Sequence, residues 1–160
     1  NKIAPKGRLF HDISEIKEEE YDSFDIITMW HVLEHVPNLL EYIDLLKNLL
    51  KKDGCLIIAV PNYKSYDAEY YKEFWAAYDV PRHLWHFSQK SIHELFSLKN
   101  FEVVKTYPLI FDSFYVSLLS EKYKYGSSNM IRAFKTGLMS NLKARGTGNY
   151  SSLIYLIKNT

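Results

Sequence analysis

The first half of the chain contains a strand–helix–strand pattern that constrains the fold more than any other feature. Two continuous apolar runs, FDIITMW at 24–30 and CLIIAVPN at 55–62, are rich in β-branched residues, which is typical of strands buried on both faces. Between them, apolar residues recur at three- and four-residue steps from Leu39 to Leu50, and Gly54 follows, so the spacing predicts an amphipathic helix. This order of elements predicts two parallel strands joined by a crossover helix.

The remaining segments predict further strands and helices around this unit. The chain has 160 residues with 47% hydrophobic composition, enough to bury one core, so we expect a single domain over 1–160 with an α/β sheet. Residues 62–90 read as a long, largely irregular segment in which DAEYYKEFWAAY at 67–78 could form a short helix, and a loop of this length is usually functional. The other expected elements are strands at 7–13 and 101–108, a loop followed by a final strand within 146–159, a helix after a Ser88 or Ser91 cap, and two helices within 111–144.

Composition excludes several classes of function. A formal net charge of +1 gives no overall field that would attract nucleic acid or an anionic membrane, and no run is long and apolar enough to span a membrane. Cys55 is the single cysteine, so no internal disulfide forms, and we expect a buried strand residue in a cytoplasmic protein. The 13 Tyr, 9 Phe and 3 Trp suggest an acceptor site for a flat or apolar molecule, or a sugar, although such residues often simply pack.

The stretch WHVLEHVPN at 30–38 has two interpretations. His31, Glu34 and His35 spell H-x-x-E-H, the zinc signature of inverted metalloproteases, in which both histidines must project from one helix. Pro37 disfavours a long helix through this segment, and a strand precedes it. A tight strand-to-helix corner is therefore the favoured interpretation, and we assign no metal site.

Two longer segments resemble a known family. FDIITMWHVLEHVPNLLEYIDLLKNLLKKDGCLIIAVPN at 24–62 resembles the middle of class I S-adenosylmethionine-dependent methyltransferases, with their LEHV motif and a strand ending in Pro-Asn. DVPRHLWHFSQKSIHELFSLKNFEVV at 79–104 resembles a branch with a P-x-H-x-x-x-F-S segment. The resemblance implies a Rossmann-like sheet, mostly parallel with an antiparallel C-terminal strand pair. It also implies methyl transfer from S-adenosylmethionine to a small-molecule acceptor, which we cannot name.

The same resemblance implies residues that contact the cofactor. Trp30 matches the position where the chain leaves the fourth family strand, and His31 follows it. Asp12 matches the acid that hydrogen-bonds the adenine amino group, and Ile13 lies beside the adenine ring. Each position has a structural alternative, since Trp30 could be a core residue and Asp12 a turn cap.

Four further residues have two open interpretations each. His83 and His86 could line the acceptor pocket or act as the base, or they could be structural histidines. Glu34 and His35, with His31, match a Glu-x-x-Glu-His cluster that some quinone O-methyltransferases use around a divalent metal, but His31 replaces the first acid. Hydrogen bonding that braces the corner is the favoured role for Glu34 and His35.

The family's glycine-rich cofactor loop and the acid that holds the ribose have no match in the chain. We therefore expect a methyltransferase domain whose first strands are absent, starting just before the third strand. The uncovered inner edge of the 24–30 strand predicts a homodimer. The alternative function is a non-catalytic binding or scaffold domain that kept the fold without the cofactor loop.

Overall fold

A computed structural model of the protein describes residues 13–16 and 18–160. The predicted strand at 7–13 lies outside the described residues except for Ile13, which begins a short 3-10 turn, Ile13–Glu15. The strands are β1 (Phe24–Trp30), β2 (Leu50–Pro61), β3 (Phe101–Pro108) and β4 (Ser152–Asn159). The helices are α1 (Leu39–Leu49), α2 (Tyr66–Tyr71), α3 (Gln89–Ser97), α4 (Asp112–Tyr125) and α5 (Met130–Thr147).

The four strands of the described chain form one sheet in the order β1-β2-β4-β3. β1 and β2 are parallel, as predicted from the crossover helix. β4 lies between β2 and β3 and is antiparallel to both, so three of the four strands run in one direction. The predicted Rossmann-like arrangement with an antiparallel C-terminal pair is confirmed.

The boundary between α1 and β2 differs from the prediction. Leu50, which the spacing placed on the helix stripe, already has extended backbone angles and pairs with Phe24 of β1. Its side chain is buried in the core. The residues 51–54 therefore belong to β2, and Gly54 lies inside the strand instead of ending the helix. Pairing with β1 outweighs the local helical pattern at this position.

The main core lies between one face of the sheet and helices α1 and α3. Its largest members include Leu33, Ile43, Ile58, Phe96 and Tyr155. A Ser88 side chain caps α3 by accepting a hydrogen bond from the Ser91 amide, as the sequence predicted.

The outer face of β1 is not buried. Ile26 is 55% exposed and Trp30 is 52% exposed, so the prediction of a strand covered on both faces is wrong for β1. β1 is also the edge strand of the sheet that the structure describes, so its outer edge has no strand beside it among the described residues. Dimerisation through this edge stays a prediction.

The segment 62–90 carries more structure than predicted. It contains α2 and the 3-10 turns Lys72–Phe74 and Ala76–Tyr78, which form a second core cluster around Tyr71 and Trp75. The buried Asp67 carboxylate accepts hydrogen bonds from Trp75 Nε1 at 2.7 Å and from two buried serine hydroxyls, on α5 and just before β4. This network ties the segment to the C-terminal part of the fold. Among the helices that the structure describes, none is long and apolar enough to cross a membrane.

Candidate functional site

The candidate site is built at the corner where β1 ends. His31 has a φ of 53°, a left-handed conformation that turns the chain out of the sheet, and its amide donates to the Ala59 carbonyl of β2 at 3.0 Å. A single 3-10 turn, Leu33–His35, follows before α1 begins. The turn buries the Glu34 side chain, which is 1% exposed. The corner therefore places a carboxylate beneath the carboxyl end of β1.

His31 lies between two carboxylates. Its Nδ1 is 3.2 Å from Glu34 Oε1, and its Nε2 is 3.0 Å from Asp112 Oδ2 at the start of α4. The hydrogen bond to Asp112, followed by the one to Glu34, raises the pKa of His31 from 6.5 to about 9. One imidazolium between two carboxylates leaves this cluster with a net negative charge.

The His-containing segment at 79–87 folds over the same corner. The amides of Leu84 and Trp85 donate to the Glu34 carbonyl at 2.8 Å and 3.2 Å, and Trp85 Nε1 donates to the Val36 carbonyl at 2.7 Å. These bonds explain why the LEHV and PRHLWHF motifs occur together in one chain: each satisfies polar groups of the other. Two segments about 50 residues apart in sequence thus form one wall.

His83 has a defined tautomer within this wall. Its Nδ1 lies 2.8 Å from the Ala77 carbonyl, which can only accept, so Nδ1 carries the proton. Its Nε2 lies 4.0 Å from both Glu34 Oε1 and Asp79 Oδ2, beyond hydrogen-bonding distance. The ring is nearly buried, with a side-chain exposure of 11%. Nε2 of His83 therefore makes no hydrogen bond to a described residue and is free to contact a ligand.

A cavity of about 270 Å³ opens beside His31 and His83. Its walls come from the β1 corner, the segment 76–83, the end of β2 and one face of α4. The polar lining consists of His31, Asp79, Arg82, His83, Asp112 and Ser152, and the apolar and aromatic lining includes Pro61, Tyr115, Val116, Leu119 and Tyr123. The cavity therefore combines two imidazole rings, several charged groups and an aromatic wall, which are the parts of a small-molecule site.

The cluster does not form the helical zinc site of a metalloprotease. His31 and His35 lie in a corner with a single 3-10 turn, and both ring nitrogens of His31 face carboxylates. His35 instead donates from Nδ1 to the Arg82 carbonyl at 2.9 Å and packs edge-on against His83. Glu34, His35 and His83 each have one atom of a type that can coordinate a metal ion, and these three atoms lie within 4.8 Å of one another. The bracing role predicted for His35 agrees with its bond to the 79–87 segment.

Of the other residues predicted to contact the cofactor, Trp30 and Ile13 lie outside the cavity. Trp30 is exposed at the end of β1, next to the cavity residue His31, but does not line the cavity. Ile13 packs against the core and lines a separate depression with Val36 and Pro37. Asp12 lies outside the described residues.

Of the two predicted catalytic histidines, only His83 lines the cavity. His86 lies behind the wall, where its Nε2 donates to the Tyr78 carbonyl at 3.0 Å and its ring packs edge-on against the Tyr78 ring. The sequence reasoning missed Asp112 and Asp79. Asp79 had a local signal, since it precedes the PRHLWHF motif, whereas Asp112 reaches the site only because α4 folds over the sheet.

Comparison with known proteins identifies the family. Residues 2–106, which are 105 of the 160 residues, match a family model described as a methyltransferase domain. The chain belongs to this family. A curated relative, the ubiquinone biosynthesis O-methyltransferase of Glaesserella parasuis serovar 5 (strain SH0165), is 56% identical over 41 residues, which are 26% of this chain and 17% of that enzyme.

Solved methyltransferase structures share the fold. A Thermotoga maritima S-adenosylmethionine-dependent methyltransferase, described as a possible histamine N-methyltransferase, superposes with a TM-score of 0.58 at 16% identity, covering 88% of this chain and 58% of that protein. The Burkholderia thailandensis 1,6-didemethyltoxoflavin-N1-methyltransferase, solved with its substrate and S-adenosylhomocysteine, superposes with a TM-score of 0.52 at 16% identity, covering 92% and 48%. The chain thus spans about half the length of these methyltransferases. The predicted family and fold are confirmed, and the bound S-adenosylhomocysteine supports the predicted cofactor.

The residues at the end of β1 fit that cofactor. Trp30 offers an exposed aromatic ring at the carboxyl end of a parallel strand, where ligands of such sheets bind. The neighbouring His31, Glu34 and Asp112 cluster carries net negative charge, which favours a sulfonium cation over an anionic ligand.

Proposed function

We propose that this chain is part of an S-adenosylmethionine-dependent methyltransferase that methylates a small-molecule acceptor bound in the cavity beneath α4. The observation that carries the proposal is the position of His83. Its Nε2, which makes no hydrogen bond to a described residue, is directed away from the Ala77 carbonyl, in the lining of a cavity that also contains His31, the residue after β1. A base beside the cofactor edge of a methyltransferase sheet is the arrangement that removal of an acceptor proton requires.

The proposed reaction divides the work between two groups of residues. When bound, S-adenosylmethionine supplies an electrophilic methyl group on a sulfonium. Trp30, His31 and Ile13, together with Asp12, would contact the cofactor, and the negative cluster around His31 would favour its positive charge. His83 Nε2 would take the proton from the acceptor O–H or N–H as the acceptor bonds to the methyl carbon, and S-adenosylhomocysteine leaves with the electrons of the broken C–S bond.

His86 acts in this proposal as a positioning residue. Its hydrogen bond to the Tyr78 carbonyl lies one residue from Ala77, whose carbonyl orients His83. The acceptor would lie against Tyr115 and Leu119 of α4, so we expect a partly flat or apolar molecule. The single cysteine of the sequence supports the cytoplasmic location expected from it. The Cys55 side chain is half-buried, so the prediction of a buried residue is wrong.

Cofactor binding is tested first, on the full-length natural protein. Isothermal titration with S-adenosylmethionine and S-adenosylhomocysteine is expected to give heat, and Trp30→Ala is expected to weaken binding about tenfold, because about 1.4 kcal/mol of aromatic contact is lost. The matched control is Tyr107→Ala, which removes a similarly exposed aromatic from β3. Absence of heat at millimolar ligand would contradict the proposal and favour a non-catalytic domain.

The base is tested by methyl transfer. Full-length protein is incubated with radiolabelled S-adenosylmethionine and fractionated small-molecule extracts, and labelled product is counted. His83→Asn is expected to reduce turnover by about 100-fold or more while cofactor affinity is retained. His93→Asn, on the exposed face of α3, is the control and should react like wild type. Equal turnover in the His83 and His93 variants would exclude His83 as the base.

A further inference from the structure

In the C-terminal hairpin of helices α4 and α5, small side chains are buried and large apolar side chains are exposed. Their buried faces consist mostly of small side chains: Ser113, Val116, Ser117 and Ser120 on α4, and Ala133, Thr136, Gly137, Ser140 and Ala144 on α5. At Gly137 the helices approach so closely that an added Cβ would lie 3.0 Å from the Phe114 Cα. Close packing of small side chains therefore forms much of the contact between the two helices.

The large apolar side chains of α5 point outward instead. They recur mainly at three- and four-residue steps and are between 42% and 75% exposed: Met130, Ile131, Phe134, Leu138, Met139 and Leu142. Phe134 stacks on Phe114 of α4 at 5.2 Å, and Phe111 at the start of α4 is 83% exposed. A helix of a soluble protein normally presents its apolar stripe to the core, and exposed patches of this kind mark interaction surfaces.

Helix α5, which carries most of this apolar face, has basic residues and no acidic ones. Residues 122–160 contain seven Lys or Arg and no Asp or Glu, although the whole chain has a net charge of only +1. Arg132, Lys135, Lys143 and Arg145 lie on α5 itself. Arg132 pairs with the buried Glu121, whereas the structure, over the residues it describes, shows no ion pair for Lys135 or Arg145. The charge is therefore unevenly distributed: the C-terminal part of the chain is basic, although the total charge is near neutral.

We propose that the outward face of the α4–α5 hairpin docks onto an anionic lipid surface. Exposed apolar side chains flanked by Lys and Arg match the acyl and phosphate layers of such a surface. A second copy of the chain is a poorer occupant, because two hairpins of net positive charge repel each other: residues 112–147 carry six Lys or Arg against the two acids Asp112 and Glu121. Residues 1–11 are also poor occupants, since they carry Lys2, Lys6 and Arg8 and no acid.

The proposal has one structural consequence and does not depend on the proposed reaction. α4 contributes Asp112, Tyr115 and Tyr123 to the cavity wall, so a docked hairpin holds that cavity next to the lipid surface. In the proposed contact the face of the hairpin lies on the lipid surface.

Vesicle sedimentation of the full-length protein tests the proposal. Wild type is expected to sediment with vesicles of phosphatidylcholine mixed with phosphatidylglycerol, and much less with phosphatidylcholine alone. Replacing Ile131, Phe134 and Leu138 together by Ser is expected to weaken binding more than about 100-fold. Lys135→Glu is expected to weaken it about 25-fold, since each charge near the surface contributes about fivefold. The control is Leu98→Ser with Val104→Ser, which changes exposed apolar residues just after α3 and on β3.

Thermal melting of each variant shows whether a loss of docking comes from a loss of fold. The heat of binding to S-adenosylmethionine shows whether the proposed function is affected as well. Failure of wild type to sediment with anionic vesicles would overturn the proposal. So would a wild-type dimer that the triple Ser variant converts to monomer, because the face would then be an interface between copies. Equal loss of vesicle binding in the control variant would overturn it as well.

Discussion

Replacing Asp112 by Asn is expected to remove pH-dependent stability that His31 supplies. In the folded protein the pKa of His31 is raised to about 9, chiefly by its hydrogen bond to Asp112 and secondly by Glu34. The stabilisation is therefore complete below the unfolded pKa of 6.5 and is lost as the pH rises through 9. Asp112→Asn removes the larger of the two causes, so the pKa of His31 should fall towards 6.5.

The magnitude follows from the two pKa values. A pKa of about 9 against 6.5 corresponds to about 3.4 kcal/mol if nothing screens the charges. Because the His31 side chain is 37% exposed, solvent screening reduces this, and we expect about 1–2 kcal/mol. Asp112→Asn should therefore cost about 1 kcal/mol in the free energy of unfolding at pH 6 and almost nothing at pH 10.

Denaturant unfolding at pH 6 and pH 10 measures this difference, and an NMR titration of the His31 ring measures its pKa directly. Asp25→Asn is the matched control, because Asp25 is an exposed acid of β1 that pairs with Lys51 at 2.8 Å, away from His31. The control should follow wild type within about 0.5 kcal/mol at both pH values. A His31 ring that titrates near 6.5 in wild type, or a cost of Asp112→Asn that is the same at both pH values, would refute the reasoning.

Two substitutions test the packing of the C-terminal part of the fold by thermal or denaturant unfolding. Asp67→Ala should lower the free energy of unfolding by about 3–5 kcal/mol, since it leaves the buried Trp75 Nε1 and two serine hydroxyls without an acceptor; a loss below about 1 kcal/mol would show that water replaces the carboxylate. Gly137→Ala should cost about 1–2 kcal/mol because the new Cβ meets the Phe114 backbone, whereas Gly146→Ala, in open space on the same helix, should be neutral or slightly stabilising. Equal effects at the two glycines would show that helix propensity, and not close packing, decides the outcome.

Local patterns in the sequence were sufficient to predict most of the secondary structure. β1 and β3 occupy the predicted ranges, and the Ser88 cap begins α3. These predictions succeed because apolar periodicity, capping and proline act within a few residues of the chain. The crossover rule then made the β1 and β2 pair parallel without further information.

The tertiary structure decided what depends on distant residues. Leu50 belongs to β2 because it pairs with Phe24, although its spacing fits the α1 stripe. His31 carries a raised pKa because α4 brings Asp112 to it from about 80 residues away. The sequence also did not show that the large apolar side chains of α5 are exposed, because apolar residues in a helical pattern do not reveal which face of the helix is covered. Burial and charge pairing are properties of the assembled fold, so the sequence alone determined the elements and the family, and the folded chain determined the site.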